Sequence, residues 1–202
     1  VRYGLSALSG QYGEWERLAA RMVDAQAPGM AARLRALEGI VDKGEDWPGR
    51  LLGRMGELQL LADAFSRMEA LSPAEKADVR AALGMAPDRE SVLSGEDRVA
   101  DVWAVAGVSF EEEDKLWQRR VWLYGRSSGR MALLLDFSHK SRVFEHSFSA
   151  GDHVRATLAF YPGVFPLRAV VAEGPVSVPG EPMPSFPLEE ALSLMARSVA
   201  AN

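Results

Sequence analysis

The sequence feature that most constrains the fold is a run of strand-like segments over residues 98–171, with no helical pattern between them. The segments are rich in aromatic and β-branched residues, and turns containing Gly, Ser or Pro separate them. They are Arg98–Val108, Lys115–Tyr124, Met131–Phe137, Val154–Tyr161 and Leu167–Ala172. About five strands at such short spacing predict a small antiparallel barrel or sandwich.

Helical patterns fill the part of the chain before this run. Trp15, Leu18 and Met22 recur at the spacing of one apolar helix face. Ser72-Pro73-Ala74-Glu75 predicts a helix start with a capping box, and Gly84 predicts the end of that helix. Helices are predicted to begin near Glu14, Pro28, Trp47 and Pro73, with one more short turn of helix at Asp88–Leu93.

These patterns predict an α+β protein with three parts. A helical domain covers residues 1–96, and an antiparallel five-stranded barrel-like domain of the OB or SH3-like kind covers residues 97–174. Residues 175–202 are predicted to form a Pro-rich linker and a short C-terminal helix. Gly174–Pro187 holds five prolines, and Leu188–Ala200 has apolar residues at helical spacing.

The composition excludes several kinds of site. The chain has no cysteine, which excludes a disulfide framework, a thiolate zinc site and a cysteine nucleophile within these residues. No apolar run approaches the roughly 20 residues of a membrane span, and there is no signal-peptide pattern. We therefore expect a cytoplasmic protein without membrane contact. Because the chain does not begin with Met, we also expect a processed form or an excised fragment.

Positive charge is concentrated in the strand-rich segment. Between Lys115 and Ala169 nine basic residues stand against three acidic ones, although the net charge of the chain is −5. This basic island, interleaved with aromatic residues, is compatible with an anionic partner, because small barrels bind single-stranded nucleic acids by stacking and charge neutralisation. The predicted contacts to nucleic acid or a partner are Trp117, Arg119, Arg120, Arg126, Arg130, Tyr161 and Arg168.

A structural alternative exists for each of these residues. Tryptophans on strands usually belong to a core, and scattered arginines usually make an outer face soluble. Arg119 and Arg120 are adjacent, so in a regular strand their side chains point to opposite faces and cannot both line one groove.

Candidate metal and catalytic residues give weaker signals. His139, His146 and His153 lie seven residues apart near carboxylates, but turns interrupt this region, so polar loop residues are favoured over a metal site. The acidic run Glu111–Asp114 predicts a solvated turn between two strands. There is no G-x-S-x-G motif and no Gly-rich phosphate loop. We expect no enzyme activity, no metal and no cofactor in this chain; a hydrolase would need a pocket that gathers a histidine with a carboxylate.

Three stretches resemble a known family. They are Ala20–Leu34, Val121–Gly125 leading to Ala132–Phe137, and Phe160–Ala169. Together they are similar to the region that follows the zinc finger in bacterial SWIM zinc-finger proteins, over most of the chain up to about Ala172. The resemblance implies a multidomain parent whose zinc site, Cys-x-Cys…Cys-x-His, precedes Val1. No zinc ligand carries over to this chain, because it has no cysteine.

The resemblance also implies a function. SWIM domains as a class are thought to bind DNA or proteins, and bacterial members of this type resemble components encoded beside MoxR-type AAA+ ATPases and von Willebrand A-domain proteins. We therefore predict a non-enzymatic binding or adaptor module that docks such proteins. Nucleic-acid binding through the basic aromatic β-segment is the alternative. Tyr161–Arg168, the most distinctive piece, fits a rigid turn or a docking surface.

Overall fold

The chain divides into two compact units, and its class is α+β, as predicted. A computed structural model describes residues 12–113, 115–180, 187, 189–190, 192–193 and 196–197. The first unit comprises Val1–Asp97 and Phe160–Pro166, and the second comprises Arg98–Ala159 and Leu167–Asn202. The sequence placed residues 160–166 within the barrel domain, whereas the structure groups them with the helices.

Five α-helices form the first unit within the described residues. They are α1 (Tyr12–Asp24), α2 (Pro28–Glu38), α3 (Trp47–Ser66), α4 (Pro73–Leu83) and α5 (Arg89–Ser94). Two apolar clusters hold α1 to α4 together. One is built on Leu37, Val41 and Leu51, and the other on Ala27, Val79 and Leu83. The helices are therefore held mainly by the burial of their apolar faces.

Local signals determine where α4 begins and ends. Ser72 Oγ accepts a hydrogen bond from the Glu75 N–H at 3.3 Å, and Glu75 Oε2 accepts one from the Ser72 N–H at 2.7 Å. These bonds hold the pKa of the Glu75 carboxyl below its usual value. Gly84 ends the helix at φ 88°, in the left-handed region. The predicted capping box and C-cap are confirmed.

The second unit is a closed barrel of five strands. They are β1 (Arg98–Glu113), β2 (Leu116–Gly125), β3 (Met131–His139), β4 (His153–Phe160) and β5 (Arg168–Ser177), in the order β1-β2-β3-β5-β4. β1 pairs antiparallel with β2 and β4, and β2 pairs antiparallel with β3. A closed five-stranded barrel with this crossover corresponds to the OB alternative of the prediction.

One strand pair differs from the prediction. β3 and β5 are parallel, with Leu133 opposite Arg168 and Leu134 opposite Ala169, so the barrel is mixed and the expectation of an antiparallel barrel is wrong at this pair. The reason is topological. β1 and β3 both run antiparallel to β2 and so share one direction, whereas β4 pairs antiparallel with β1 and runs the other way. β5 follows β4 and lies between β4 and β3, so the returning chain runs in the direction of β3.

Two strands extend well beyond their predicted ends. β1 continues through Glu113, so Glu111–Glu113 lies in a strand and not in the predicted turn. β5 continues through Ser177, into the predicted linker, because β4 supplies hydrogen-bond partners: the Val178 N–H donates to the His153 carbonyl at 3.0 Å. The predicted C-terminal helix lies largely outside the described residues, and those described between 189 and 197 are helical.

The barrel interior is filled by apolar side chains that alternate with outward-facing ones. Val121, Leu123 and Leu134 are buried, and their neighbours along β2 and β3 are more exposed. The buried Trp103 donates its indole N–H to the Ala156 carbonyl at 3.0 Å, so its polar group is satisfied inside the core.

A buried carboxylate holds the turn between β2 and β3. Asp101 accepts hydrogen bonds from the backbone N–H groups of Val102 at 2.7 Å, Ser127 at 3.1 Å and Ser128 at 2.8 Å. Burial is the largest single influence and raises the pKa of Asp101. The hydrogen bonds from Ser128, Ser127 and Val102 together outweigh it and hold that pKa below its usual value.

Among the described residues, no helix combines the length and the apolar character that crossing a membrane requires.

Candidate functional site

The outer surface of β2 and β3 exposes several large apolar side chains. Leu116 and Trp122 on β2 are 41% and 36% exposed, and Met131 and Phe137 on β3 are 42% and 51% exposed. In an antiparallel pair, opposite residues face the same side of the sheet. The pairs that face outward are Gln118 with Phe137, Arg120 with Leu135, Trp122 with Leu133, and Tyr124 with Met131.

We call these eight residues, together with Leu116 at the end of β2, the outer β2–β3 face. Strand alternation explains its composition, since Val121, Leu123 and Leu134 between them are buried in the barrel. β3 carries apolar residues on both of its faces, so the core can bury only half of them. The other half forms an apolar surface on the outside.

One of the predicted binding residues belongs to this surface, and a second lies at its border. Arg120 lies in the outer β2–β3 face, where its guanidinium pairs with Glu111 Oε1 at 2.7 Å. Arg168 on β5 is exposed and lies opposite Leu133 in the parallel pair, at the border of the face. Because Glu111 compensates the charge of Arg120, the centre of the face is apolar and close to neutral.

A depression lies at the end of the outer β2–β3 face. It has a volume of about 350 Å³, and Glu111, Leu116, Gln118 and Phe137 form part of its wall. Such a depression is large enough to receive an apolar side chain of a partner.

Arg119 lies on the opposite side of β2, inside the barrel, and is 4% exposed. Its Nη2 and Nε donate to Asp136 Oδ2 at 2.6 and 3.1 Å, and its Nη1 donates to the His146 carbonyl. The guanidinium also lies 4.3 Å from the ring centre of Phe144. Arg119 therefore ties the connection between β3 and β4 to the barrel, and its hydrogen-bonding groups are turned away from any ligand on the outer face.

The remaining predicted residues are dispersed. Trp117 is half-buried and shares the inner side of β2 with Arg119. Arg142 lies nearby, with its guanidinium 3.4 Å from the ring centre of Phe110 and 5.7 Å from that of Trp117. Arg126 and Arg130 are half-buried beside the turn between β2 and β3, and Tyr161 belongs to the first unit.

Sequence reasoning missed the apolar members of the outer β2–β3 face. Met131, Leu133, Leu135 and Phe137 share one parity of a strand whose other parity is also apolar. An isolated barrel can bury only one face of a strand, so two apolar parities already indicate an exposed apolar surface.

The histidines do not form a metal centre within the part of the chain that is described, where no group of three or more His, Asp or Glu side chains could hold a metal ion. His139 is exposed, whereas His153 is buried, and the Nε2 of His153 has no hydrogen-bond partner among the described residues. Gly180 lies directly against the His153 ring, where a Cβ atom would collide with it.

The helical part of the chain matches a known family. Residues 1–83 match the SWIM-associated four-helix bundle domain. The match ends at Leu83, the last residue of α4, and spans all four helices from α1 to α4. It supports the predicted SWIM-associated family for the helical part. The other two stretches of the resemblance, in β2–β3 and at 160–169, lie outside the matched residues. No curated protein and no solved structure matches the chain.

Proposed function

We propose that the chain is a non-enzymatic binding module that docks a protein partner on the outer β2–β3 face. The observation that carries this proposal is the exposure of Leu116, Trp122, Met131 and Phe137 on two adjacent strands. Contiguous exposed apolar surface of this kind marks interaction sites, and aromatic residues and Met are enriched in protein interfaces.

The charges near this surface favour a protein over a nucleic acid. Arg119, one of the predicted contacts to nucleic acid or a partner, is buried against Asp136, and Arg120 is paired with Glu111. A phosphate backbone would have to displace Glu111 from Arg120, whereas an apolar partner surface leaves that ion pair in place.

The partner we propose is a protein of an assembly system, either a MoxR-type AAA+ ATPase or a von Willebrand A-domain protein. This choice rests on the resemblance to bacterial SWIM zinc-finger proteins, and the family match over residues 1–83 supports it only at the level of a SWIM-associated family. In this role the chain acts as an adaptor, with the helical unit as a second surface.

The test is a calorimetric titration of purified AAA+ and von Willebrand A-domain candidates with the chain and its variants. Phe137→Ser and Trp122→Ser remove apolar area from the outer β2–β3 face, and we expect each to weaken binding at least about tenfold, as loss of a buried interface anchor does. Val143→Ser is the matched control, because Val143 is 72% exposed but lies outside the face. Binding that is equally strong in all four proteins would overturn the proposed site.

One observation favours nucleic-acid binding as a second candidate. Trp122, Tyr124 and Phe137 lie on the second and third strands of an OB-type barrel, the strands on which such barrels bind oligonucleotides. Exposed aromatic rings there could stack on bases, with Arg168 at the border. Binding of this kind weakens steeply with salt, whereas apolar docking does not.

A further inference from the structure

The first unit contains an open cavity of about 480 Å³ that the proposed docking face does not use. Residues of α4, of α5 and the segment after it, and of 160–166 form its wall, among them Pro73, Pro87, Val92, Phe160, Pro162 and Pro166. The volume falls within the range of about 300–1,000 Å³ of ligand-binding clefts.

Hydrogen bonds hold residues 160–166 as one wall of this cavity. The carboxylate of Asp78 on α4 accepts from the Val164 N–H at 3.0 Å, and the Phe160 N–H donates to the Asp97 carbonyl at 3.0 Å. Gly163 approaches Asp78 so closely that a Cβ atom there would collide with the carboxylate. Contacts with α4 and Asp97 therefore hold this wall in place within the first unit.

The cavity wall offers mainly apolar contacts. Four of its residues are prolines, which have no backbone N–H to donate, and Val92 and Phe160 add further apolar surface. Next to this wall, Phe165 is 86% exposed and Val164 is also exposed. A ligand that binds favourably to this wall must itself be apolar, because few polar groups of the ligand would find hydrogen-bond partners there.

The segments that form the cavity wall carry a net negative charge. The segment 72–97 carries six acidic and three basic side chains, and residues 160–166 carry no charge. Glu96 and Asp97 are part of the wall itself.

We propose that this cavity binds an apolar side chain carried on a basic segment of a partner protein. The cavity takes the apolar side chain, and the acidic residues around it attract the Lys or Arg residues on either side. This site lies in the first unit, so it is a second contact that does not depend on the outer β2–β3 face.

The probe is a labelled synthetic peptide with one central tryptophan between lysines. Two matched peptides accompany it, one with glutamates in place of the lysines and one with serine in place of the tryptophan. Fluorescence anisotropy measures affinity, and amide NMR shifts locate the site. We expect the Lys–Trp peptide to bind at least about tenfold more tightly than either matched peptide and to shift the amides of Val92, Gly95 and Gly163.

Variants then locate the contact. Ser91 is an exposed residue of the cavity wall. Ser91→Trp should fill the cavity and weaken binding of the Lys–Trp peptide at least about tenfold. Glu96→Gln should weaken binding of the Lys–Trp peptide about two- to fivefold at low salt. Glu45→Gln makes the same change of net charge outside the cavity and should not weaken this binding. If Ser91→Trp does not fold, the affinity of Phe165→Ser for the Lys–Trp peptide is measured instead, because this change is at a highly exposed side chain.

Several outcomes would overturn the proposal. They are equal binding of the glutamate peptide, unchanged affinity in both Ser91→Trp and Phe165→Ser, and amide shifts confined to the barrel. Phe137→Ser separates the two sites, because it should weaken docking on the outer β2–β3 face at least about tenfold and leave the peptide affinity unchanged.

Discussion

At the scale of single residues, adjacent arginines on β2 have opposite roles. Arg119 is buried and donates to Asp136 and the His146 carbonyl, whereas Arg120 is on the outside and pairs with the exposed Glu111. Their contributions to stability should differ accordingly, because removing one partner of a buried ion pair strands the other charge.

Arg119→Ala is expected to lower the free energy of unfolding by about 2–4 kcal/mol, somewhat below the usual cost of breaking a buried pair because Asp136 is 40% exposed. Arg120→Ala, which breaks a more exposed pair one residue away, should cost about 0–1 kcal/mol. Urea unfolding of both variants at neutral pH measures the difference. Equal losses would show that the Arg119 contacts contribute no more than a surface ion pair.

Asp101 gives a prediction for acid pH. Its pKa is lower in the folded chain than in the unfolded one, so the stability it contributes is fully present above about pH 4, the unfolded value, and is lost as the pH falls through the folded pKa. Asp101→Asn should therefore be clearly less stable than the parent chain at pH 7, and this difference in stability should become smaller towards pH 3. Unfolding midpoints at pH 7, 5 and 3 test this, and a constant gap would contradict it.

The alternation of side chains along β2 was predictable, but which parity faces the core was not. Both parities carry a tryptophan, an arginine and a leucine, so no local pattern tells inside from outside. The buried side of β2 also meets Phe144 and His146, which come from the connection after β3 and contact Arg119 only in the folded barrel. Interactions between residues so far apart in the sequence leave no periodic signal.

At the scale of elements, the termini of helices were the easiest features to predict, because their signals are local. Ser72, Glu75 and Gly84 act on backbone groups within three or four residues. The parallel pairing of β3 with β5 could not be predicted in this way, since it depends on where β4 pairs.

Replacing two glycines of the helical unit by alanine should change the stability of the chain in opposite directions. Gly84 has φ 88°, and a Cβ atom there would lie 2.7 Å from the Pro28 ring, so Gly84→Ala should cost more than about 1 kcal/mol. Gly56 lies within α3 with open space around its Cβ position, so Gly56→Ala should stabilise by about 0.5–1 kcal/mol. Thermal unfolding of both variants measures the signs, and a loss in Gly56→Ala would contradict the description of α3.

At the scale of the whole molecule, the division into units could be predicted only in part. Helices before strands follow from hydrophobic periodicity, but residues 160–166 join the helical unit through Asp78, far away in the sequence. The strand-rich segment does carry an excess of basic residues. Their effect on the binding of anions, however, depends on whether acidic side chains pair with them in the fold. Arg119 and Arg120 both face carboxylates that the fold supplies.

This pairing predicts that nucleic acid does not bind measurably at physiological salt. With a net charge of −5 and two of the basic island's arginines compensated, we expect no measurable affinity for labelled single-stranded DNA at physiological salt. Fluorescence anisotropy at low and physiological salt measures this, and Arg120→Ala serves as the comparison. Tight binding that falls with salt and with Arg120→Ala would instead favour the nucleic-acid candidate.

The contact between Gly180 and the ring of His153 has a practical consequence for anyone who shortens or tags this protein. Glycine is the one residue whose backbone can lie so close to that imidazole, so a linker that replaces position 180 would push the ring or the linker out of place. A chain cut at the end of β5 would also leave one face of the ring uncovered. A fluorescent or affinity label is therefore best joined beyond residue 180.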